Sequence, residues 1–390
     1  MSEKVKIGVV GLGNMGSFHI REISTMDTAS LAAICDIDRE KADRFGGQFQ
    51  VPVYYDYKTM IEKADLDAVL CATPHYDHVP ISIDSFARGL HVLVEKPITV
   101  HVKDARKMVA AYEAAKEKNP NLVFSIMFQQ RTNGYWRKVK EMIDTGQLGK
   151  LVRATWIITD WFRTQTYYDT GGWRATWKGE GGGVLLNQCP HNLDLYQWFF
   201  GVPKRVMGFA QIGKYHNIEV EDEVTAYFEY ENGMVGHFIT TTAESPGTNR
   251  LEIVGENGKL VYENGKLTFD RNKMSMLKWL KESKASFDRV EHAVEDVPYG
   301  NEPAGHRVVI DNFAKAILYG ERQIAAGPEG INGLAIGNAI MLSSFLGKPV
   351  EIPFDEDLYE AKLMELIATS NFQKGEVVKE DVDFTKSFQK

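Results

Sequence analysis

The chain has 390 residues, too many for one ordinary hydrophobic core, so two domains are expected. A hydrophobic content of 44% and a charged content of 25% are those of a globular protein, and a formal net charge of -8 argues against nucleic acid as the main partner. No apolar run reaches membrane-span length, and residues 1–7 enter a strand pattern at once, without room for a secretory leader. Cys35, Cys71 and Cys189 form an odd set without metal-type spacing, so reduced thiols, a cytoplasmic setting and no membrane partner are expected.

Residues 5–10 read as a short apolar strand running into Gly11-Leu12-Gly13-Asn14-Met15-Gly16, after which residues 17–26 are helical. Glycines at this spacing gain meaning from that strand-to-helix context. The first permits a tight turn, the second a close approach to a pyrophosphate, and the third close helix–strand packing. The helix start then offers unpaired N–H groups to phosphate charge. A second strand, 29–34, ends beside Asp36, twenty residues after Gly16. A carboxylate there accepts from both ribose hydroxyls and repels a 2′-phosphate, which favours NAD over NADP. Arg39, a cation able to pair with a 2′-phosphate, is the counter-indication.

Helices over 59–63, 79–88 and 102–118 alternate with strands over 68–72, 91–94 and 122–128, which implies a parallel, doubly wound sheet. Ligands of such sheets bind beyond the carboxyl ends of the strands. Thr73-Pro74, His78 and Glu95-Lys96-Pro97 occupy those ends, and Pro97 keeps Lys96 extended and off any helix. His75, Asp77 and His78 lack a matching ligand pair, so no metal is expected.

After residue 128 the pattern changes. A helix over 136–145 stops at Gly146, and strands follow over 151–160, 206–212, 223–230, 234–242, 250–254, 259–262 and 266–269. Glu231-Asn232-Gly233 and Glu263-Asn264-Gly265 are hairpin turns. The expectation is α/β overall: a doubly wound parallel sheet over 1–128, then an α+β domain over 129–390 with a large, mostly antiparallel open sheet. An uncovered face on that sheet implies a homo-oligomer. Residues 274–296 read as a helical or irregular excursion, 306–319, 330–344 and 355–369 as helices, and 374–390 as a loosely held polar tail.

Between the first of these strands and the next lies an aromatic segment carrying Trp161, Arg163, Tyr168 and Trp173. Flat rings pack on the C–H faces of a sugar while charged groups bind its hydroxyls; an aromatic cluster bracing a loop is the competing reading. Gly181-Gly182-Gly183 then opens a run in which Asn187, His191 and Asp194 recur at four- and three-residue spacing, on one face if the run is helical.

In combination, the Gly11–Gly16 loop, Asp36, Thr73-Pro74 with His78, Glu95-Lys96-Pro97 and the glycine-led His191-x-x-Asp194 run resemble the glucose-fructose oxidoreductase/inositol dehydrogenase (Gfo/Idh/MocA) family. The resemblance implies an N-terminal Rossmann domain, a homodimer or homotetramer built on the C-terminal sheet, and NAD(P)-dependent oxidation of a secondary alcohol on a sugar or cyclitol. It implies a cofactor site made of Gly11, Gly13, Asn14, Met15, Gly16, Asp36, Thr73, Pro74, His78, Glu95 and Lys96. Lys96, Asn187 and His191 then form the catalytic set, and Trp161, Arg163, Tyr168, Trp173 and Asp194 join them in binding substrate. The chemistry agrees: a neutral histidine accepts the hydroxyl proton, and an ammonium group stabilises the developing alkoxide. The family usually has an aspartate four residues before the histidine; here Asn187 stands there. An NAD-dependent glycosidase, a non-catalytic dinucleotide sensor and an enzyme that keeps its nucleotide bound are the alternatives.

Overall fold

The computed structural model describes residues 4–375. The first three residues and 376–390, most of the predicted tail, lie outside the described residues.

Six short strands build the first sheet: β1 Val5–Val10, β2 Ala29–Cys35, β3 Val53–Tyr54, β4 Ala68–Cys71, β5 His91–Val94 and β6 Phe124–Ile126. They are parallel, in the order β3-β2-β1-β4-β5-β6. The strands are nearly continuous apolar runs because helices cover both faces. The order reverses between β1 and β4, which opens the crevice at which doubly wound sheets bind ligands. Two glycines close it tightly: Gly11 has φ +86°, and a Cβ on Gly16 would lie 1.8 Å from the Gly11 carbonyl oxygen. A helix over Arg39–Phe49, capped by the Asp38 carboxylate accepting from Lys41 N–H at 3.1 Å, was not legible beforehand. Its two glycines and few apolar residues hide the helical period.

The second sheet has nine strands: β7 Leu151–Ile158, β8 Arg205–Ile212, β9 Glu221–Glu229, β10 Val235–Thr241, β11 Asn249–Gly255, β12 Gly258–Glu263, β13 Lys266–Asn272, β14 His292–Asp296 and β15 Val350–Glu351. Their order is β14-β13-β12-β11-β7-β10-β9-β8-β15, antiparallel except where β7 runs parallel to β10. The predicted excursion over 274–296 needs correction. It contains a helix, Met276–Glu282, and then β14, whose five residues are all exposed at the sheet edge. With no buried face, β14 carries no alternating pattern to announce it.

One face of this sheet is covered by helices. The helix Gly330–Leu346 packs on β8 and on the helix Pro190–Phe200. It also reaches the first unit: Asn338 accepts from Val102 N–H at 3.1 Å and donates to Val100 O at 3.2 Å. The helix His306–Tyr319 crosses back, and its Val309, Ile310 and Phe313 join the core formed by Val5, Ile7 and Ile20. A domain boundary at 128/129 remains our proposal, with this returning helix belonging by contact to the first unit. No helix among the described residues is long and apolar enough to cross a membrane.

Candidate active site

The glycine loop and Asp36 meet at the crevice. Asp36 Oδ2 accepts from Leu12 N–H at 2.6 Å, and its Oδ1 accepts from Asp38 N–H at 2.8 Å, so the acid is fixed at the end of β2. A Cβ on Gly13 would meet nothing within 4 Å, which leaves open space over the helix Asn14–Ser24, whose first bond runs from Ser17 N–H to Gly13 O. Asn14 and Met15 lie in that first turn, where N–H groups without partners inside the helix suit an anion such as a phosphate. Thr73 packs beside the loop, 2.9 Å from where a Gly11 Cβ would stand. Arg39 lies over the Tyr55 ring at 4.4 Å. These residues fit a dinucleotide with free ribose hydroxyls.

Beyond β5, Glu95 is buried and its Oε1 lies 2.6 Å from His19 Nε2. Burial opposes its ionisation, but the bond from His19 and the charges of His19, His306 and Lys96 prevail and hold the carboxyl down at about 2. His78 acts as a brace: its Nδ1 lies 2.9 Å from Pro97 O and its Nε2 2.9 Å from Thr73 O, tying the β4 and β5 loops together. Pro74 leads into the turn His75–Asp77, and His75 Nδ1 meets Glu180 O at 3.1 Å. Lys96 reaches across to the second unit, where its Nζ donates to Asn187 O at 2.9 Å. Burial lowers the Lys96 ammonium from the usual lysine value, against the carboxylates of Glu95 and Glu180.

The predicted single helix face carrying Asn187, His191 and Asp194 is corrected here. The helix begins at Pro190, and residues 181–189 are bends and turns, with the turns over 184–188. The buried carboxylate of Glu221 on β9 accepts from Gly183 N–H at 2.8 Å and Leu185 N–H at 3.0 Å, while Glu221 O accepts from Val184 N–H. Those bonds hold the segment in turns, and proline suits the first helical position that follows. Burial raises the Glu221 carboxyl to about 7 even so. Asn187 therefore precedes the helix, its Nδ2 donating to Glu180 Oε1 and its Oδ1 3.4 Å from the Tyr167 hydroxyl.

His191 stands in the first turn, edge-on to Phe128, with its Nε2 3.1 Å from Gln129 Nε2. Neither His191 Nδ1 nor Gln129 Oε1 has a hydrogen-bond partner among the described residues. Turning the Gln129 amide end for end lets its oxygen accept from His191 Nε2–H and leaves Nδ1 as a bare acceptor. Burial, reinforced by the Lys96 charge, places the imidazolium well below the ordinary histidine value.

Asp194, expected to bind substrate, has its carboxylate buried and taken up by protein partners. Its two oxygens accept from Arg131 Nε at 2.8 Å and Arg131 Nη2 at 2.6 Å, and Gln197 Nε2 adds a bond at 2.9 Å. Arg131 is completed by Glu329 at 2.6 Å. Both members of the pair are almost wholly buried. Arg131→Met should cost about 3–5 kcal/mol, because it strands a buried carboxylate; the urea midpoint measures it, and an unchanged midpoint would refute the structural role.

Within the aromatic segment, Tyr168 is corrected as well. It is buried, donates to Thr242 Oγ1 at 2.7 Å and packs on His216, so it braces the loop from inside. Its neighbour Tyr167 faces the site instead, accepting from Arg174 Nη1 at 2.9 Å and Gln188 Nε2 at 3.2 Å. Arg163 lies 5.6 Å from the Trp161 ring and 5.1 Å from the Tyr167 ring, and its backbone oxygen accepts from His216 Nε2 at 2.9 Å. Trp161 keeps a buried indole N–H without a partner among the described residues. Trp173 packs edge-on to His75, beneath the Arg174 guanidinium.

Residues 5–121 match the oxidoreductase family with an NAD-binding Rossmann fold, and residues 136–261 match the GFO/IDH/MocA C-terminal domain. The chain belongs to the Gfo/Idh/MocA family. It is an NAD-binding oxidoreductase, as the glycine loop and Asp36 foretold. Among its relatives is scyllo-inositol 2-dehydrogenase (NAD(+)) of Bacillus subtilis, 22% identical, the alignment covering 90% of this chain and 97% of that one. The levoglucosan dehydrogenase of Pseudarthrobacter phenanthrenivorans is 25% identical over 67% of this chain and 74% of its own. The WlbA dehydrogenase of Bordetella pertussis, solved with NADH and UDP-GlcNAcA, superposes with a TM-score of 0.75 at 26% identity, covering 90% of this chain and all of that one.

Several residues of this oxidoreductase's site carry no motif. Gln129 and Arg131 follow β6 in a single turn, and Glu180 stands one position before the glycine run. Adjacent tyrosines at 167 and 168 cannot be ranked from the sequence, since a short turn sends one inward and the other outward. The one available signal was Glu180 itself, a lone acid beside three glycines.

Proposed function

We propose that this oxidoreductase oxidises a secondary hydroxyl of a sugar, glycoside or cyclitol to the ketone, or runs the reverse reaction. Bound NAD supplies the hydride acceptor. His191 takes the hydroxyl proton at Nδ1 as the neutral base that its burial favours. The Lys96 ammonium stabilises the oxygen as negative charge develops. Asn187 orients the hydroxyl, and Trp161, Arg163, Tyr167 and Trp173 give the substrate an aromatic wall with hydrogen-bonding edges.

One observation carries the reading: Lys96, from the end of β5, is bonded to the very turn that delivers His191, beside the glycine-loop crevice. The relatives that act on inositol and levoglucosan support the substrate class. The same reading includes a homodimer or homotetramer formed through the outer face of the second sheet, where Phe209 and Ile212 lie exposed. A panel of sugars, glycosides and cyclitols with NAD, followed by NADH absorbance, tests it. At least one neutral or acidic member should give NADH; a protein that binds NAD yet reduces it with none would defeat the proposal.

A further inference from the structure

The catalytic set contains an unusual gap: residue 187 is an amide and carries no charge beside Lys96. A buried carboxylate lies behind it. Glu180 is 1% exposed, and its Oε1 accepts from Asn187 Nδ2 while its Oε2 accepts from Ala175 N–H at 2.6 Å. Its backbone is clamped between Thr176 O, which accepts from Glu180 N–H at 2.9 Å, and His75 of the first unit. An ionised carboxylate only accepts hydrogen bonds. The Nδ2 end of Asn187 must therefore face Glu180, and Oδ1 is left on the opposite side, toward the Tyr167 hydroxyl.

We propose that Glu180 is a positioning residue that acts through Asn187. Its carboxylate fixes the amide so that Asn187 Oδ1 meets the substrate hydroxyl, and it supplies the negative charge that residue 187 lacks. The proposal rests on the catalytic reading given above. A protonated Glu180 would become a donor, and the amide would turn to present Nδ2 to the substrate instead. The charged and titratable groups facing Lys96 include Glu95, Glu180, Arg163 and Arg174, with the imidazoles of His75, His191 and His306. Those facing Glu180 include Arg174, Lys374 and Glu221. Burial raises the Glu180 carboxyl, while Arg174 and the two hydrogen bonds draw it back toward ionisation. Removing the charge of Glu180 should therefore make the Lys96 ammonium easier to deprotonate.

A charge-swap cycle tests this in the NAD-loaded protein. Glu180→Gln should lower kcat about 10–100-fold, the range for partners that orient a reactive group, with KM for NAD unchanged. Asn187→Asp alone puts two carboxylates in contact and should also lose kcat. The double variant, Glu180→Gln with Asn187→Asp, restores one amide and one carboxylate in exchanged places and should recover most of kcat. A purely structural Glu180 would change stability without this rescue. Wild-type kcat in Glu180→Gln, or a double variant no better than the worse single one, overturns the proposal. NMR titration of the Lys96 side chain gives a readout without turnover: its pKa should fall in Glu180→Gln and return in the double variant, and an unchanged value counts against the proposal. If wild-type protein oxidises no carbinol, the catalytic reading fails, while the titration still decides what Glu180 does to Lys96.

Discussion

His191→Ala should lower kcat by about 10²–10⁴-fold while NAD binding, followed by calorimetry, stays at the wild-type level. The side chain lies at the start of the helix Pro190–Phe200, and its loss leaves the glycine loop and Asp36 untouched. The pH profile carries more information than the loss alone. Burial and the Lys96 charge make the imidazolium release its proton more readily, so the basic form persists into acid. Turnover of the wild type should therefore rise with pH through a limb below 6.5 and be level at neutrality. A limb at or above the ordinary histidine value, or activity retained in His191→Ala, would remove His191 as the base. Gln129→Ala should move the same limb, because Gln129 holds the opposite ring nitrogen.

Lys96→Met should cost about 10²–10³-fold in kcat, the scale of losing one preorganised group aimed at a developing oxyanion. Two pH effects accompany it, with opposite signs. The wild type should lose activity on the alkaline side before the usual lysine value of 10.5, because burial lowers the Lys96 ammonium; that limb should vanish in the variant. The acid limb should move upward, since His191 no longer feels the Lys96 charge. Steady-state kinetics across pH with a substrate from the panel measures both. A variant that keeps wild-type turnover, or whose acid limb does not move, would show that Lys96 and His191 do not act on one reacting centre.

The nucleotide half was legible because its determinants are local. A glycine with φ +86° directly after a buried strand, and an acid at the next strand end, need no distant partner to be recognised. The hairpins at Asn232-Gly233 and Asn264-Gly265 are local in the same sense, and their strands start within two residues of expectation. Edge elements were not legible. β14 buries none of its residues, so nothing in its pattern separates it from a solvated excursion.

The site divides along the same line. By itself, the sequence determined which residue types reach the crevice: Lys96 just beyond β5, held extended by the proline that follows it, and His191 on a helix led in by glycines; the start of that helix at Pro190 was the structure's decision. Only the tertiary structure decided which polar groups pair. Glu221 on β9 captures the N–H groups of residues 183 and 185 and takes Asn187 off the helix. Arg131 claims both oxygens of Asp194, and Glu180 claims the Asn187 amide. Each of those partners comes from another turn or strand. A buried polar group must be satisfied by whatever the fold brings beside it, and spacing along the chain does not encode that neighbour.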